Sequence, residues 1–134
     1  MRSTHDAFHV AVPTHNLDEA VRFYVFGLGA KLARRYDDRV TFDFFGDQLV
    51  CHLDESAVPD GEPAAYPRHF GVTFARAEDF DRLLRLVEHR KLSVLSGPDT
   101  RFEGTAEQHR TIFLADPSNN VLEFKHYEDP RLQY

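Results

Sequence analysis

Four side chains in this sequence have the type and spacing to do chemistry together: His9, His52, His69 and Glu123. Imidazole nitrogens and a carboxylate are suitable ligands for a divalent first-row metal. Two His and one carboxylate on one side of a metal leave positions open for substrate and oxygen, the facial arrangement of non-haem Fe(II) sites. A fourth protein ligand would use up one open position and suit Lewis-acid chemistry on Zn²⁺ or Ni²⁺ better. Taken singly, a His in a strand is more often a surface or hydrogen-bonded residue than a ligand, and a Glu in a terminal strand is usually solvated. Their placement in a repeat raises these four above that background.

The elements that must position them recur along the chain. Phe8 to Val12 alternates apolar residues with smaller or polar ones, the pattern of a strand. Asn16 lies three residues before Glu19, the spacing of an N-cap and its capping box. Leu17, Ala20, Val21, Tyr24 and Leu28 then form one apolar helix face, ended by Gly27 and Gly29. Lys31 to Tyr36 reads as a strand, and Val40–Phe45 with Gln48–Leu53 as a hairpin around Gly46-Asp47. The stretch from Asp54 to Pro67 holds three of the seven Pro and cannot sustain a helix or a central strand. After it the same order returns: a strand from His69 to Phe74, a helix with Phe80, Leu83, Leu84 and Val87 on one face, a short strand Leu92–Leu95 ending at Ser96-Gly97-Pro98, and a hairpin of Arg110–Leu114 with Val121–Tyr127. The expectation is an α+β domain of two tandem βαβββ modules, residues 6–54 and 68–128, joined by a linker over 55–67. Neither module covers its own sheet, so the two are expected to form a U-shaped, partly closed mixed-sheet cleft with the helices outside.

Strand alternation then sorts the polar residues. With Phe8, Val10 and Val12 against the helix, His9 and Ala11 face away. With Phe70, Val72 and Phe74 inward, His69, Gly71 and Thr73 face away. Leu122 and Phe124 face the helix, so Glu123, Lys125 and Tyr127 do not. Cys51 and Leu53 face the helix, so Val50 and His52 do not. His9 and His69 therefore correspond, and aligning Val50–Leu53 with Val121–Phe124 puts His52 opposite Glu123.

At these residues the chain resembles the vicinal oxygen chelate superfamily, which includes glyoxalase I, fosfomycin and bleomycin resistance proteins and extradiol dioxygenases. The resemblance spans nearly the whole chain. It rests on Phe8-His9-Val10-Ala11-Val12, on Asn16 to Tyr24 followed by Gly27-Leu28-Gly29, on His69-Phe70-Gly71-Val72, and on Phe113 to Phe124. It implies a divalent metal held by His9, His69 and Glu123, Fe(II) first, with Mn, Ni or Zn as alternatives. Glyoxalases add a Glu at the position where this chain has His52. The segment Phe44 to Leu53 is similar to a group of small bacterial proteins predicted to be extradiol-type dioxygenases. The resemblance therefore implies an extradiol-type dioxygenase acting on a small oxygen-chelating substrate. The alternatives are a glyoxalase-like lyase, isomerase or thiol transferase, and a non-catalytic small-molecule binder of the antibiotic resistance type. Asn120 stands where the family commonly has Gly before its last strand, a substitution that a left-handed backbone tolerates.

Further side chains are assigned around this centre. His52 is a fourth ligand, a hydrogen-bond partner of the ligands, or a general acid/base near neutral pH. Tyr127 is the second catalytic candidate. Lys125 shares its face and is read as substrate-binding, as is Arg101, a bidentate clamp for an acidic substrate in the loop Gly97–Gly104. Phe42 and Phe44 would line the apolar part of the cleft, with core packing as the rival reading. Composition sets the outer bounds. A net charge of −6 over 134 residues argues against a nucleic-acid partner. The single cysteine, Cys51, excludes a disulfide framework and fits a reducing compartment. With no signal-peptide-like or membrane-length run, a cytoplasmic homodimer with a small-molecule substrate is expected.

Overall fold

The computed structural model describes residues 1–134. They form two compact units, residues 1–60 and 61–134.

In the first unit β1 (His9–Thr14) leads into α1 (Leu17–Val21). The Asn16 side chain starts that helix by accepting from the backbone N–H groups of Asp18 and Glu19, at 2.9 and 3.1 Å. Such a cap contributes about 1 kcal/mol. The Glu19 carboxylate does not reach back to close a capping box; it pairs with His15 at 3.1 Å. The helix continues as a wider π-type turn over Arg22–Gly27, where the Leu28 N–H donates to the carbonyl of Phe23, five residues back, at 2.9 Å. This turn brings Tyr24 and Leu28 fully into the core and leaves Phe26 outside, 70% exposed. Next come β2 (Lys31–Arg35), β3 (Arg39–Phe44) and β4 (Asp47–Leu53), giving a sheet of order β1-β4-β3-β2 in which β1 runs parallel to β4. The β3–β4 connection puts Phe45 and Gly46 at φ 55° and 96°, as a tight hairpin turn requires. Tyr24 meets Phe42 and Phe44 at ring separations of 5.2 and 6.2 Å, so the helical segment covers the Val40–Phe42–Phe44 face of the sheet. Phe8, expected among the helix-facing residues, lies before the strand and is 58% exposed.

The second unit repeats the order with β5 (Phe70–Thr73), α2 (Ala77–His89), β6 (Val94–Arg101), β7 (His109–Ala115) and β8 (Val121–Tyr127), arranged β5-β8-β7-β6 with β5 parallel to β8. α2 buries Phe80, Leu83 and Val87, and Arg110 bridges it to the sheet, its guanidinium over the Phe80 ring and 2.8 Å from Asp81. The strand expected to stop at Ser96-Gly97-Pro98 instead runs on to Arg101. Its register against β7 shifts twice, between Val94 and Ser96 and between Ser96 and Asp99, so Gly97-Pro98 sits in an irregularity that bends the strand without ending it. Gly97 is needed there: its φ is 89°, and a Cβ would lie 2.7 Å from the Thr111 carbonyl oxygen.

The β7–β8 turn is organised by Asp116, which is buried. Its carboxylate accepts from the backbone N–H groups of Ser118 and Asn120 and from the Asn120 side chain, all within 2.9 Å. The left-handed residue is Asn119, at φ 60°, so the position that favours Gly is Asn119 and not Asn120. A 3-10 turn over Pro130–Gln133 ends the chain and was not anticipated from the sequence. No helix is long and apolar enough to cross a membrane.

Candidate functional site

Alternation along β8 decides which side chains meet. Leu122, Phe124 and His126 turn towards α2, and His126 Nδ1 lies 2.9 Å from the carbonyl of Phe74. Glu123, Lys125 and Tyr127 take the opposite face. Across the antiparallel β7 ladder they stand beside Phe113, Thr111 and His109 respectively, and across the parallel β5 ladder Glu123 stands beside Gly71.

Glu123 is the focus of this face. Thr111 donates its hydroxyl to Oε1 at 2.8 Å. Oε2 lies 3.2 Å from His69 Nε2 and 3.3 Å from Lys125 Nζ. His69 stands just before β5, and its ring is oriented twice over. Its Nδ1 donates to the Ala65 carbonyl at 2.7 Å, and its faces and edges meet Tyr66 and Phe113 at ring separations of 5.5 and 5.6 Å. A carbonyl only accepts, so the proton on Nδ1 is fixed by that bond and Nε2 is the atom turned to Glu123.

In the first unit, His9 makes a corresponding local bond. It faces Gln48 across the parallel β1–β4 pair, and its Nδ1 lies 2.6 Å from the Gln48 side-chain oxygen. Both His residues thus engage Nδ1 with a neutral oxygen and keep Nε2 for another partner, the arrangement found in metal-ligating imidazoles. The donor set is nitrogen and oxygen only, which fits a divalent first-row metal. No three His, Cys, Asp or Glu side chains are gathered into a group that could hold a metal ion. His69 and Glu123 pair within the second unit, and His9 belongs to the first.

Comparison with known proteins identifies the family. Residues 7–124 match the family model of the glyoxalase/bleomycin resistance protein/dioxygenase superfamily. The chain belongs to that superfamily. A crystal structure of a superfamily member from Alicyclobacillus acidocaldarius is 54% identical, covers 100% of both chains and superposes with a TM-score of 0.93. The genomically encoded fosfomycin resistance protein FosX of Listeria monocytogenes shares the fold at 16% identity, covering 98% of this chain and 100% of its own, with a TM-score of 0.70. A glyoxalase domain-containing protein of Mycosarcoma maydis is 20% identical over 123 residues, 92% of this chain and 69% of its own.

The superfamily's duplicated module allows a comparison of the two units by register. Val10 pairs with Leu49 and Ala11 with Val50; Phe70 pairs with Leu122 and Gly71 with Glu123. Val50 therefore holds the position of Glu123, and His52 holds that of Lys125. The alignment of His52 with Glu123 made from the strand pattern is off by two residues, about 7 Å along a strand. A slip of two keeps every side chain on its face, so alternation cannot detect it.

The remaining candidates are scattered. His52 is exposed near the end of β4, beside Pro13 and Arg39. Tyr127 is half-buried, its ring 4.6 Å from His109 and 5.7 Å from Lys125 Nζ. Arg101 is exposed at the end of β6, paired in register with His109, and so stands on a strand where a loop was expected. Phe42 and Phe44 are core residues against Tyr24, on the helix-covered side of their sheet and not on the face of His9 and His52. The sequence alone assigns no role to Thr111, Gln48 or Gly71. A Gly inside a strand is itself a signal of close backbone approach; Thr111 and Gln48 become visible only once strand pairing is known.

Proposed function

We propose that this chain is a metal-dependent enzyme of extradiol dioxygenase type, acting on a small substrate that chelates through two adjacent oxygens. His9, His69 and Glu123 are the protein ligands, with Fe(II) the first metal to test and Mn, Ni and Zn after it. The observation that carries this reading is the pair His69 Nε2–Glu123 Oε2 at 3.2 Å, with Nδ1 tied to Ala65 and Oε1 tied to Thr111. Nε2 and Oε2 are two good donors turned towards each other, with Lys125 Nζ sharing Oε2 at 3.3 Å.

Three protein ligands are favoured over four because Val50, which cannot ligate, takes the register position matching Glu123. A metal with three protein ligands supplies Lewis acidity and open positions where two reactants are brought together. The chain's own residues do the rest. Thr111 and Ala65 hold the ligand atoms in place. Lys125, Tyr127 and Arg101 stand along the face running away from Glu123 and contact the substrate. His52 serves proton transfer and not ligation.

Metal analysis of wild type and Glu123→Ala, each offered Fe(II), Mn²⁺, Ni²⁺ and Zn²⁺, tests the centre. Stoichiometric metal in wild type and its loss in the variant is the expected result; no metal in wild type ends the enzyme reading. Oxygen uptake with catechol-type substrates then separates a dioxygenase from a Lewis-acid enzyme. Light scattering checks the homodimer that goes with this reading.

A further inference from the structure

Two nitrogens converge on one oxygen of Glu123. His69 Nε2 is 3.2 Å and Lys125 Nζ 3.3 Å from the same Oε2, while Oε1 is reserved by the Thr111 hydroxyl at 2.8 Å. Glu123 and Lys125 are both half-sheltered, with side chains 11% and 27% exposed, so the pair is less screened than a surface ion pair. In that same position Lys125 Nζ also lies near the ring of Tyr127, two residues along its own strand. The Tyr127 ring centroid is 5.7 Å from Nζ, within the range in which an ammonium is attracted to an aromatic face.

We infer that Lys125 is a displaceable counter-ion: its ammonium occupies Glu123 Oε2 until a divalent metal takes that oxygen, and it then turns towards Tyr127 to meet an anionic oxygen of the substrate. This rests on the metal reading proposed above. A metal and an ammonium cannot both sit against Oε2 without strong repulsion, because like charges at contact distance in a half-sheltered site are poorly screened. Either Lys125 moves or the metal stays out. Movement is cheap for a four-carbon stem, and the positive charge is not lost from the site; it shifts along β8. The substrate class follows. A ligand that chelates through adjacent oxygens and carries negative charge on one of them matches the relocated ammonium, whereas a neutral ligand leaves it unpaired.

The test is calorimetric titration of wild type, Lys125→Met and Lys125→Gln with Mn²⁺ alone, followed by titration of the Mn²⁺-loaded proteins with catechol. Circular dichroism confirms folding, and the two variants differ in polarity so that one can stand in for the other. The exchange predicts that removing the competing ammonium tightens Mn²⁺ binding by roughly three- to tenfold, the scale of a partly screened ion pair, and weakens catechol binding. Unchanged or weaker Mn²⁺ binding in the variants overturns the inference while leaving the metal reading intact, and so does unchanged catechol binding. Failure of wild type to bind Mn²⁺, Fe(II), Ni²⁺ or Zn²⁺ overturns both.

Discussion

Gly71 and Glu123 face each other across the parallel β5–β8 pair with no room for a side chain between the strands. A Cβ on Gly71 would collide with the Glu123 carbonyl oxygen and lie 2.7 Å from its carbonyl carbon. The obstacle is backbone, so it cannot swing aside. The matching position in the first unit is Ala11, where a Cβ is accommodated beside Val50. The absence of a side chain at Gly71 thus sets how β5 lies against the strand that carries the carboxylate.

Gly71→Ala should therefore destabilise the protein by about 1–3 kcal/mol, the cost of overpacking where nothing can relax. It should also shift Glu123 away from His69 and weaken metal binding. Ala11→Gly is the control, expected to cost about 0.5–1 kcal/mol through backbone entropy alone and to leave metal binding nearly intact. Denaturant unfolding and metal titration of both variants make the comparison. Equal costs at the two positions would show that the close approach has no special role.

Thr111 supports Glu123 from the neighbouring strand. It is 1% exposed, and its hydroxyl donates to Oε1 at 2.8 Å. Thr111→Val keeps the shape and removes the donor. A buried carboxylate oxygen losing a hydrogen bond costs about 1–3 kcal/mol, and loss of a partner behind a metal ligand typically lowers metal affinity by about 10–100-fold. Thr111→Ser should restore most of both. A titration in which Val and Ser variants behave alike would show that the hydroxyl does not support Glu123.

The register explains how far the sequence could be read. Element order, the duplicated βαβββ module and the faces of His69, Glu123, Lys125 and Tyr127 follow from periodicities of two and 3.6, which the sequence displays directly. Strand pairing is a long-range property, and a two-residue slip leaves the pattern of faces unchanged. That is why the strand pattern aligns His52 with Glu123 although Val50 holds the place, and why it does not reveal Gln48 opposite His9. β6 was cut short because Gly97-Pro98 reads as a stop, whereas here it bends a strand that resumes pairing at Asp99. Phe42 and Phe44 belong to the core by the same alternation that puts Val40 there, so core packing holds over a ligand-lining role.

The C-terminal turn carries a pH dependence of its own. The Arg131 guanidinium, with the Arg131 backbone N–H, holds the Asp129 carboxyl down at about 2, and the Asp129 side chain caps Pro130–Gln133. A carboxylate lowered in the folded state stabilises the turn at all pH values above its ordinary range and loses that contribution as pH falls through about 2. The Arg131 amide resonance should therefore keep its folded shift at pH 4 and move only near pH 2. In Asp129→Asn the turn should already be loosened at neutral pH, with no further acid transition there. A midpoint near the ordinary Asp value in wild type would show that the Arg131 pairing is not formed in solution.

Under the metal reading proposed above, His52 separates a dioxygenase from a Lewis-acid enzyme. By register it corresponds to Lys125, two residues beyond the position of Glu123, and its side chain is exposed. If it is not a ligand, His52→Ala should retain stoichiometric metal with affinity within about threefold of wild type, because no bond to the metal is lost, while turnover falls by about 10²-fold or more if proton transfer is its task. His9→Ala and His69→Ala should each lose the metal. Gln48→Leu should weaken binding without abolishing it, since it unties Nδ1 of His9 and leaves the ring itself in place. Metal content and titration of these four variants give the answer. Loss of metal in His52→Ala comparable to that in His9→Ala would make four protein ligands, and the Lewis-acid reading would replace the dioxygenase.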